Sequence, residues 1–252
     1  MPYGEKLYEG KAKILYATED AALVVQYFKD DATAFNAQKR GTILDKGVVN
    51  NRVSSALFVH LEGRGIPTHF VKQLDERSML VKRLEIVPLE VTIRNITAGG
   101  MSRLLGIEEG IVLKPPVFEW HYKSDALADP LINDDHILAM GWATAQELAH
   151  IRAESFKVND ALKAFFRERQ IDLVDFKLEF GRVCGPDGKP TSRIVLGDEI
   201  SPDTMRLWEI GTRRKLDKDR FRRDLGSVEE AYQEVLRRVL GEAAAHVKQS
   251  LR

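Results

Sequence analysis

The chain has 252 residues, and its 38 basic side chains equal its 38 acidic ones, so the formal net charge is zero. This balance argues against a general binder of nucleic acid or of anionic membranes, because such proteins need a basic excess to neutralise phosphates. A single cysteine, the lack of an apolar signal segment at the start and the lack of any apolar run near 20 residues predict a cytoplasmic protein without a membrane span.

The first third of the chain has the composition of short β-strands. Runs of β-branched and aromatic residues are separated by acidic or glycine turns. One helix is predicted over residues 46–61, because apolar side chains recur there on one helical stripe before Gly63 and Gly65. Strands are predicted at 7–16, 22–28, 68–72 and 79–83.

The rest of the chain mixes helices with strands. A strand is predicted at 90–94, and a short helix before Gly106. Capping-box sequences predict helix starts at Thr144 and at Ser227. The composition changes near residues 84–88, which predicts a β-rich lobe over residues 1–85 and a mixed α+β lobe over residues 86–252.

The heptapeptide DFKLEFG alternates strictly between charged and apolar side chains. Asp175, Lys177 and Glu179 share one face of the predicted strand, and the aromatic and leucine side chains share the other. The turn signal GPDGKP follows. If the chain reverses within it, Glu179 lies opposite Asp198 on the next strand.

Two facing carboxylates repel each other unless a cation or a proton lies between them. Magnesium favours an all-oxygen site that also takes phosphate ligands, so a nucleotide partner fits Glu179 and Asp198. The alternative for this pair is a surface hairpin with solvated acids, or a structural ion pair through Lys177. The six histidines show no metal-ligand spacing and are interpreted as surface or packing residues.

Basic residues at three places are candidates for binding anions. Lys11 and Lys13 follow Gly10; on one strand face they would lie about 7 Å apart, which suits neighbouring phosphates. The alternative is a solvated face of an edge strand. Arg94 precedes the small-residue run Ala-Gly-Gly, a candidate phosphate cradle. Arg206 follows a Ser-Pro-Asp turn. No Walker A or GxGxxG motif is present.

The sequence resembles the SAICAR synthetase family, the phosphoribosylaminoimidazole-succinocarboxamide synthases. The matching segments occur in order along nearly the whole chain: LYEGKAK, KGVVNN, VTIRNITAG, DFKLEFG, GDEISPDTMRLW and DKDRFR. The pairing of DFKLEFG with GDEISPD is highly specific, whereas LYEGKAK alone would not be.

This resemblance implies a two-lobed α+β fold whose N-terminal lobe is similar to the small lobe of protein kinases, with ATP in the cleft between the lobes. It implies that ATP and Mg²⁺ support amide formation between carboxyaminoimidazole ribonucleotide (CAIR) and L-aspartate in purine biosynthesis. The partners implied are these small molecules, and we expect a homodimer.

The resemblance also implies individual roles. Gly100 departs from the family, which usually has serine there, so backbone N–H groups or Ser102 are expected to substitute. The implied roles are ATP phosphates for Lys11 and Lys13, adenine for the backbone of Lys82 and Leu84, metal for Glu179 and Asp198 with Lys177 as their catalytic neighbour, and the ribonucleotide for Arg94, Asp129, Asp175, Arg206, Lys218 and Arg222.

Two other functions use the same residues. A kinase would turn over ATP without an amine acceptor, but the sequence has neither an HRD-type catalytic loop nor DFG. A nucleotide-responsive binding or scaffold protein would keep its activity after Glu179→Gln.

Overall fold

The computed structural model describes residues 3–34 and 39–241. Within these ranges the chain forms thirteen strands, six α-helices and a single 3₁₀ turn at Asp125–Leu127. The strands are β1 (Lys6–Glu9), β2 (Lys13–Ala17), β3 (Leu23–Phe28), β4 (Asp31–Ala34), β5 (Lys39–Thr42), β6 (Phe70–Gln73), β7 (Ser78–Lys82), β8 (Leu84–Ile96), β9 (Val112–Tyr122), β10 (Leu131–Ile132), β11 (Ile171–Cys184), β12 (Pro190–Gly197) and β13 (Met205–Glu209). The helices are α1 (Lys46–Glu62), α2 (Gly99–Leu105), α3 (Asp134–Ala139), α4 (Ala145–Arg167), α5 (Asp219–Arg222) and α6 (Val228–Leu240).

Two antiparallel sheets form the framework. The first has the strand order β1-β2-β3-β7-β6, and the second has the order β10-β9-β8-β11-β12, with β13 also paired to β11. A parallel bridge between Thr68 and Leu196 joins the two sheets. Because all strand pairs within the sheets are antiparallel and the chain also contains six described helices, the predicted α+β class is confirmed.

The predicted strand over residues 7–16 is wrong. It is a hairpin of β1 and β2, closed by a 2.9 Å hydrogen bond from the Gly10 N–H to the Lys13 carbonyl. Lys11 therefore lies in the turn and Lys13 begins β2, so the two lysines do not share a strand face. The strands predicted at 22–28, 68–72 and 79–83 are present within two residues, and the one at 90–94 is the middle of the longer β8.

The predicted helix at 46–61 is confirmed as α1, which packs against the first sheet on one side and against α6 on the other. The predicted cap at Thr144 is also confirmed, since its side chain accepts from the Glu147 N–H and Glu147 reaches back to the Thr144 N–H. The cap at Ser227 is wrong. That residue has φ 47° and its side chain makes no cap hydrogen bond, so α6 starts from a left-handed turn instead.

One continuous apolar core contacts both sheets. It includes Phe28 of β3, Phe58 of α1, Phe176 of β11 and Leu236 of α6. The chain passes from the first sheet to the second at Arg83, between β7 and β8. The division into lobes at residue 85 and the likeness of the first sheet to a kinase small lobe stay predictions.

The two candidate caps give a matched pair for a stability test. We expect Thr144→Ala to lower the free energy of unfolding by about 1 kcal/mol, because an N-terminal N–H of α4 loses its acceptor. Ser227→Ala should change it by less than about 0.5 kcal/mol, because no cap bond is lost. Urea unfolding followed by circular dichroism measures both; equal losses would contradict the assignment.

Candidate active site

Two adjoining cavities lie where the sheets meet. The lysine cleft, about 560 Å³ in volume, lies between the first sheet and β11–β12; the arginine cavity, about 280 Å³, lies over β8, β11 and β13. Lys177, Asp129 and Arg222 line both. Apart from Ser102, every residue for which a role was predicted lines one or both cavities. Those in the cleft alone are Lys11, Lys13, Lys82, Leu84, Glu179, Asp198 and Lys218, and those in the cavity alone are Arg94, Asp175 and Arg206.

The alternation of β11 places its charged side chains along this site. Phe176, Leu178 and Phe180 face the core, so the side chains between them point to the opposite face. Asp175 therefore lines the arginine cavity and Glu179 the lysine cleft. Lys177 lies between them and lines both, which confirms the predicted shared face.

The predicted register of Glu179 opposite Asp198 is wrong by one residue. Glu179 faces Gly197, because an irregularity between Arg182 and Cys184 shifts the hairpin. Asp198 follows the end of β12 with a left-handed φ of 60°, a conformation that Asp tolerates better than most residues. Its side chain thus leaves the ladder and reaches β2 of the first sheet, where it forms an ion pair with Lys13.

Lysines balance these two acids, of which Glu179 is buried and Asp198 half-buried. Lys13 contacts Asp198 and lies 3.3 Å from Glu199, and Lys123 lies 2.6 Å from Glu179. Burial and the charge of Asp198 raise the pKa of Glu179 to about 7. Burial acts the same way on Asp198, but Lys13 and Lys123 outweigh it and hold the pKa of Asp198 below its ordinary value. The two carboxylates therefore interact electrostatically, and the charges of Lys13 and Lys123 act on both.

The acid pair fits an ion that completes its coordination elsewhere. Among residues 3–34 and 39–241, no group of three or more His, Cys, Asp or Glu side chains is arranged to hold a metal ion. Two carboxylates alone suit Mg²⁺, which keeps several waters and takes oxygen ligands from phosphates.

Glu90 is a site residue that the sequence reasoning missed. It pairs in register with Glu179 across β8 and β11, accepts a 2.6 Å hydrogen bond from Lys177 and lines both cavities. The signal was present, because Glu90, Thr92 and Arg94 follow the same period of two and all line the arginine cavity. Lys123 and Glu199, also missed, carried no comparable pattern.

Asp203, also missed, joins the site to two helices. Its carboxylate accepts from Lys46 at 2.8 Å, from Lys218 at 3.3 Å and from the Tyr232 hydroxyl at 2.5 Å. Lys46 and Tyr232 are fully buried and belong to α1 and α6. Burial would raise the pKa of Asp203, but Lys218 and Lys46 hold it far below its ordinary value. Lys218 is thereby fixed at the wall of the lysine cleft.

Asp175 holds the two predicted phosphate-binding arginines together. It accepts from Arg94 at 2.8 Å and from Arg206 at 2.9 Å. Arg94 is also 2.8 Å from Glu119, and Arg206 is 2.9 Å from Asp219. Burial disfavours the charge of Arg206, but these carboxylates outweigh it and raise its pKa. Both guanidinium groups are thus charged and fixed at the cavity wall.

The glycines beside the arginines are not equivalent. Gly99 has φ +57°, and a Cβ there would lie 2.3 Å from Nη2 of Arg206, so no larger residue fits without displacing that guanidinium. A Cβ on Gly100 would make an ordinary 3.8 Å contact with Arg94, so a side chain could fit at this point. Gly100 lines the arginine cavity, whereas Ser102 is not among the described residues that do.

The part of the lysine cleft next to Lys82 and Leu84 is an apolar slot. The N–H groups of Lys82 and Arg83 donate to the carbonyls of His69 and Ala22, both at 2.7 Å. A Cβ on Gly197 would lie 2.6 Å from Cδ1 of Leu84, so glycine lets β12 approach this segment closely. The apolar side chains that line the slot are Leu15, Val24, Val81, Leu84 and Ile86.

Two histidines interpreted as packing residues line the cavities. His121 lines the arginine cavity, with Nδ1 3.0 Å from the Asp129 carbonyl and Nε2 3.3 Å from Glu119. His69 lines the lysine cleft. Neither position carries metal-ligand spacing, so no sequence pattern distinguished them from the remaining histidines.

A cleft with an apolar slot and lysines at its two ends, open to a cavity with fixed arginines, is typical of an enzyme that brings a nucleotide to an anionic substrate. The profile of the SAICAR synthetase family matches residues 6–239, and the chain belongs to this family. A phosphoribosylaminoimidazole-succinocarboxamide synthase from Chloroherpeton thalassium is 58% identical over 96% of this chain and 100% of its own.

Solved structures agree with this assignment. The crystal structure of the synthase from Ehrlichia chaffeensis has 48% identity and a TM-score of 0.90, and covers 93% of this chain and 98% of its own. A SAICAR synthetase solved in complex with ADP has 43% identity and a TM-score of 0.85, over 92% and 96% of the two chains. No helix among the described residues is long and apolar enough to cross a membrane.

The buried ion pair between Lys46 and Asp203 holds the wall of the site in place, and we expect it to stabilise the fold. We expect Lys46→Met to lower the free energy of unfolding by about 3 kcal/mol, because it removes a buried cation from a buried carboxylate. Lys6→Met is the control: its pair with Glu9 is exposed at both side chains, so less than about 1 kcal/mol should be lost. Denaturant unfolding compares them, and similar losses would contradict a role for the buried pair.

Proposed function

We propose that this protein forms an amide between the carboxylate of CAIR and the amino group of L-aspartate, giving SAICAR, and converts ATP to ADP and phosphate. The observation that carries the proposal is the junction of the lysine cleft with the arginine cavity at Lys177. A nucleotide in the first and a ribonucleotide in the second would meet at this side chain. Membership of the SAICAR synthetase family and the relative solved with ADP support this placement.

ATP is proposed to lie along the lysine cleft. Its adenine occupies the apolar slot, where the carbonyl of Lys82 and the N–H of Leu84 serve as backbone partners. Its phosphates extend toward Lys13 and Lys11. Lys11 pairs with the exposed Asp125 at 2.6 Å, an ion pair weak enough to exchange for a phosphate.

Glu179 and Asp198 are proposed to hold Mg²⁺. When bound, the ion supplies positive charge at the terminal phosphates as the phosphoryl group is transferred. Both carboxylates contact lysines, so an ion held by these acids would leave Lys13 and Lys123 free to donate to phosphate oxygens. The chain's own cations then stabilise the charge that develops during transfer.

CAIR is proposed to bind in the arginine cavity. Arg94 and Arg206 hold its phosphate, with Arg222 and Lys218 at the rim, because guanidinium groups match phosphate oxygens with paired donors. Asp175 keeps both guanidinium groups aligned and faces the imidazole or its amine. The reacting carboxylate then points toward Lys177, with Asp129 as a further wall residue.

The chemistry needs activation of that carboxylate, because an amine attacking it directly would have to expel oxide. We propose that a carboxylate oxygen of CAIR attacks the γ-phosphorus of ATP and ADP leaves. The amine of aspartate then attacks the acyl carbon, the C–O bond to phosphate breaks, and inorganic phosphate departs with that oxygen. The protein acts by positioning and electrostatics, and no protein nucleophile is required.

The homodimer and the cytoplasmic location belong to the same proposal. Light scattering coupled to size exclusion would test the first, and fractionation of cells the second.

The labelled-oxygen experiment tests the reaction. With CAIR labelled with oxygen-18 in its carboxylate, we expect turnover to require L-aspartate and one label per SAICAR to appear in inorganic phosphate. Phosphorus NMR measures the label. Steady ADP release without L-aspartate would indicate a kinase, and unlabelled phosphate would exclude the acyl phosphate.

Arginine variants test the ribonucleotide site. We expect Arg94→Ala and Arg206→Ala to raise the KM for CAIR by roughly 30-fold or more while changing that for ATP little, since a desolvated arginine–phosphate contact is worth about 2 kcal/mol. Arg94→Lys and Arg206→Lys, which keep the charge but lose the paired donors, should fall between. Arg193→Ala, on the exposed hairpin, is the control. Equal effects on both substrates would contradict the placement.

A further inference from the structure

His69 is a buried polar side chain whose hydrogen-bonding groups are unused. It is only 3% exposed, and neither ring nitrogen has a hydrogen-bond partner among residues 3–34 and 39–241. A buried polar group without a partner is uncommon and costs about 1–3 kcal/mol. Yet this ring lines the lysine cleft, so a ligand in the cleft can supply the missing partner.

The fold fixes this ring between the two halves of the nucleotide site. The backbone N–H of His69 donates to the backbone carbonyl of Leu196 at 2.8 Å. Leu196 lies on β12, the strand that leads to Asp198. The backbone carbonyl of His69 accepts from the Lys82 N–H at 2.7 Å. The ring packs edge to face against Phe58, with centroids 5.1 Å apart. Its position relative to the proposed adenine segment is therefore set by backbone bonds and packing.

The ring is neutral at physiological pH. Burial lowers the pKa of His69 to about 3, and the charges of Lys13 and Lys82 act in the same direction against that of Asp198. A neutral imidazole has one N–H donor and one nitrogen acceptor. It can therefore accept from an amino group or donate to a ring nitrogen of a bound base.

Adenine and guanine differ in the hydrogen-bonding groups that they would present to this ring. Adenine presents an amino donor beside the N7 acceptor, whereas guanine presents two acceptors, O6 and N7. The other side chains that line the slot beside His69 are apolar, and the remaining polar groups proposed to contact the base are the backbone carbonyl of Lys82 and the backbone N–H of Leu84. Gln26, also in the cleft, uses its amide to donate to the Asp198 carbonyl. In the tautomer whose acceptor nitrogen faces the base, the His69 ring matches the amino group of adenine and meets an unfavourable oxygen in guanine.

We propose that His69 determines the base specificity of the cleft, accepting a hydrogen bond from the amino group of adenine and disfavouring a purine with a carbonyl at that position. This inference rests on the proposed nucleotide site and adds to it the residue that selects the base. It assigns no part of the ligation chemistry to His69.

Nucleotide binding without CAIR or L-aspartate tests the inference. In isothermal titration of the whole chain, we expect Mg-ADP to bind more tightly than Mg-GDP. His69→Leu should reduce the ratio of the two affinities at least tenfold, because it weakens the binding of ADP. His69→Gln, which keeps a hydrogen-bonding side chain, should retain part of the preference. His150→Leu, on the exposed face of α4, is the control and should retain all of it. Equal weakening of ADP and GDP in His69→Leu, or no change in either, would overturn the proposal.

A second measurement uses the unaltered protein, in case His69→Leu fails to fold. Purine riboside diphosphate, which lacks the amino group, should bind at least tenfold more weakly than ADP. In a protein labelled with nitrogen-15 in histidine, the ring signals of His69 should shift on adding ADP and less on adding the riboside analogue. Equal affinities, or an unmoved His69 signal, would overturn the proposal. Both experiments omit ligation, so a failure to form SAICAR would leave their outcome standing and would count only against the proposed reaction.

Discussion

The site depends on two neighbouring carboxylates, the buried Glu179 and the half-buried Asp198, whose charges need cations beside them. Glu179 and Asp198 lie close enough for the charge of one to raise the pKa of the other. In the protein alone, Lys123 and Lys13 balance them. The two lysines place positive charge where phosphates are proposed to bind. A divalent ion bound to the acids would leave these lysines free to contact those phosphates. The proposed binding of the ion would thus be an exchange of ionic partners.

Acidic and basic side chains also balance each other in the arginine cavity and in the contacts that hold its wall in place. Asp175 lies between Arg94 and Arg206, and holds their guanidinium groups at the wall before any anion arrives. Asp203 accepts from Lys218 and from the buried Lys46 of α1, which ties the cavity wall to a helix in the core. Pre-organised charges of this kind need little rearrangement when a substrate binds, and this lowers the cost of reaching the transition state.

Sequence patterns predicted the parts of the site that follow local geometry. The alternation in DFKLEFG placed Asp175 and Glu179 on one face because strand period is a local property. The position of Asp198 was missed by one residue, since a bulge cannot be read from alternation. The role of Lys46 was missed because its partner Asp203 lies 157 residues away. Contacts of that range depend on how α1 packs, which composition and spacing do not specify.

The exchange of partners at the acid pair is tested most directly by the metal dependence of nucleotide binding. Titration of ADP with and without Mg²⁺ should show at least tenfold tighter binding with the metal in the unaltered protein. Glu179→Gln should lose most of this enhancement while its ADP affinity without metal is retained, because one ligand is removed and the slot for the base is unchanged. An undiminished enhancement in Glu179→Gln would contradict the account.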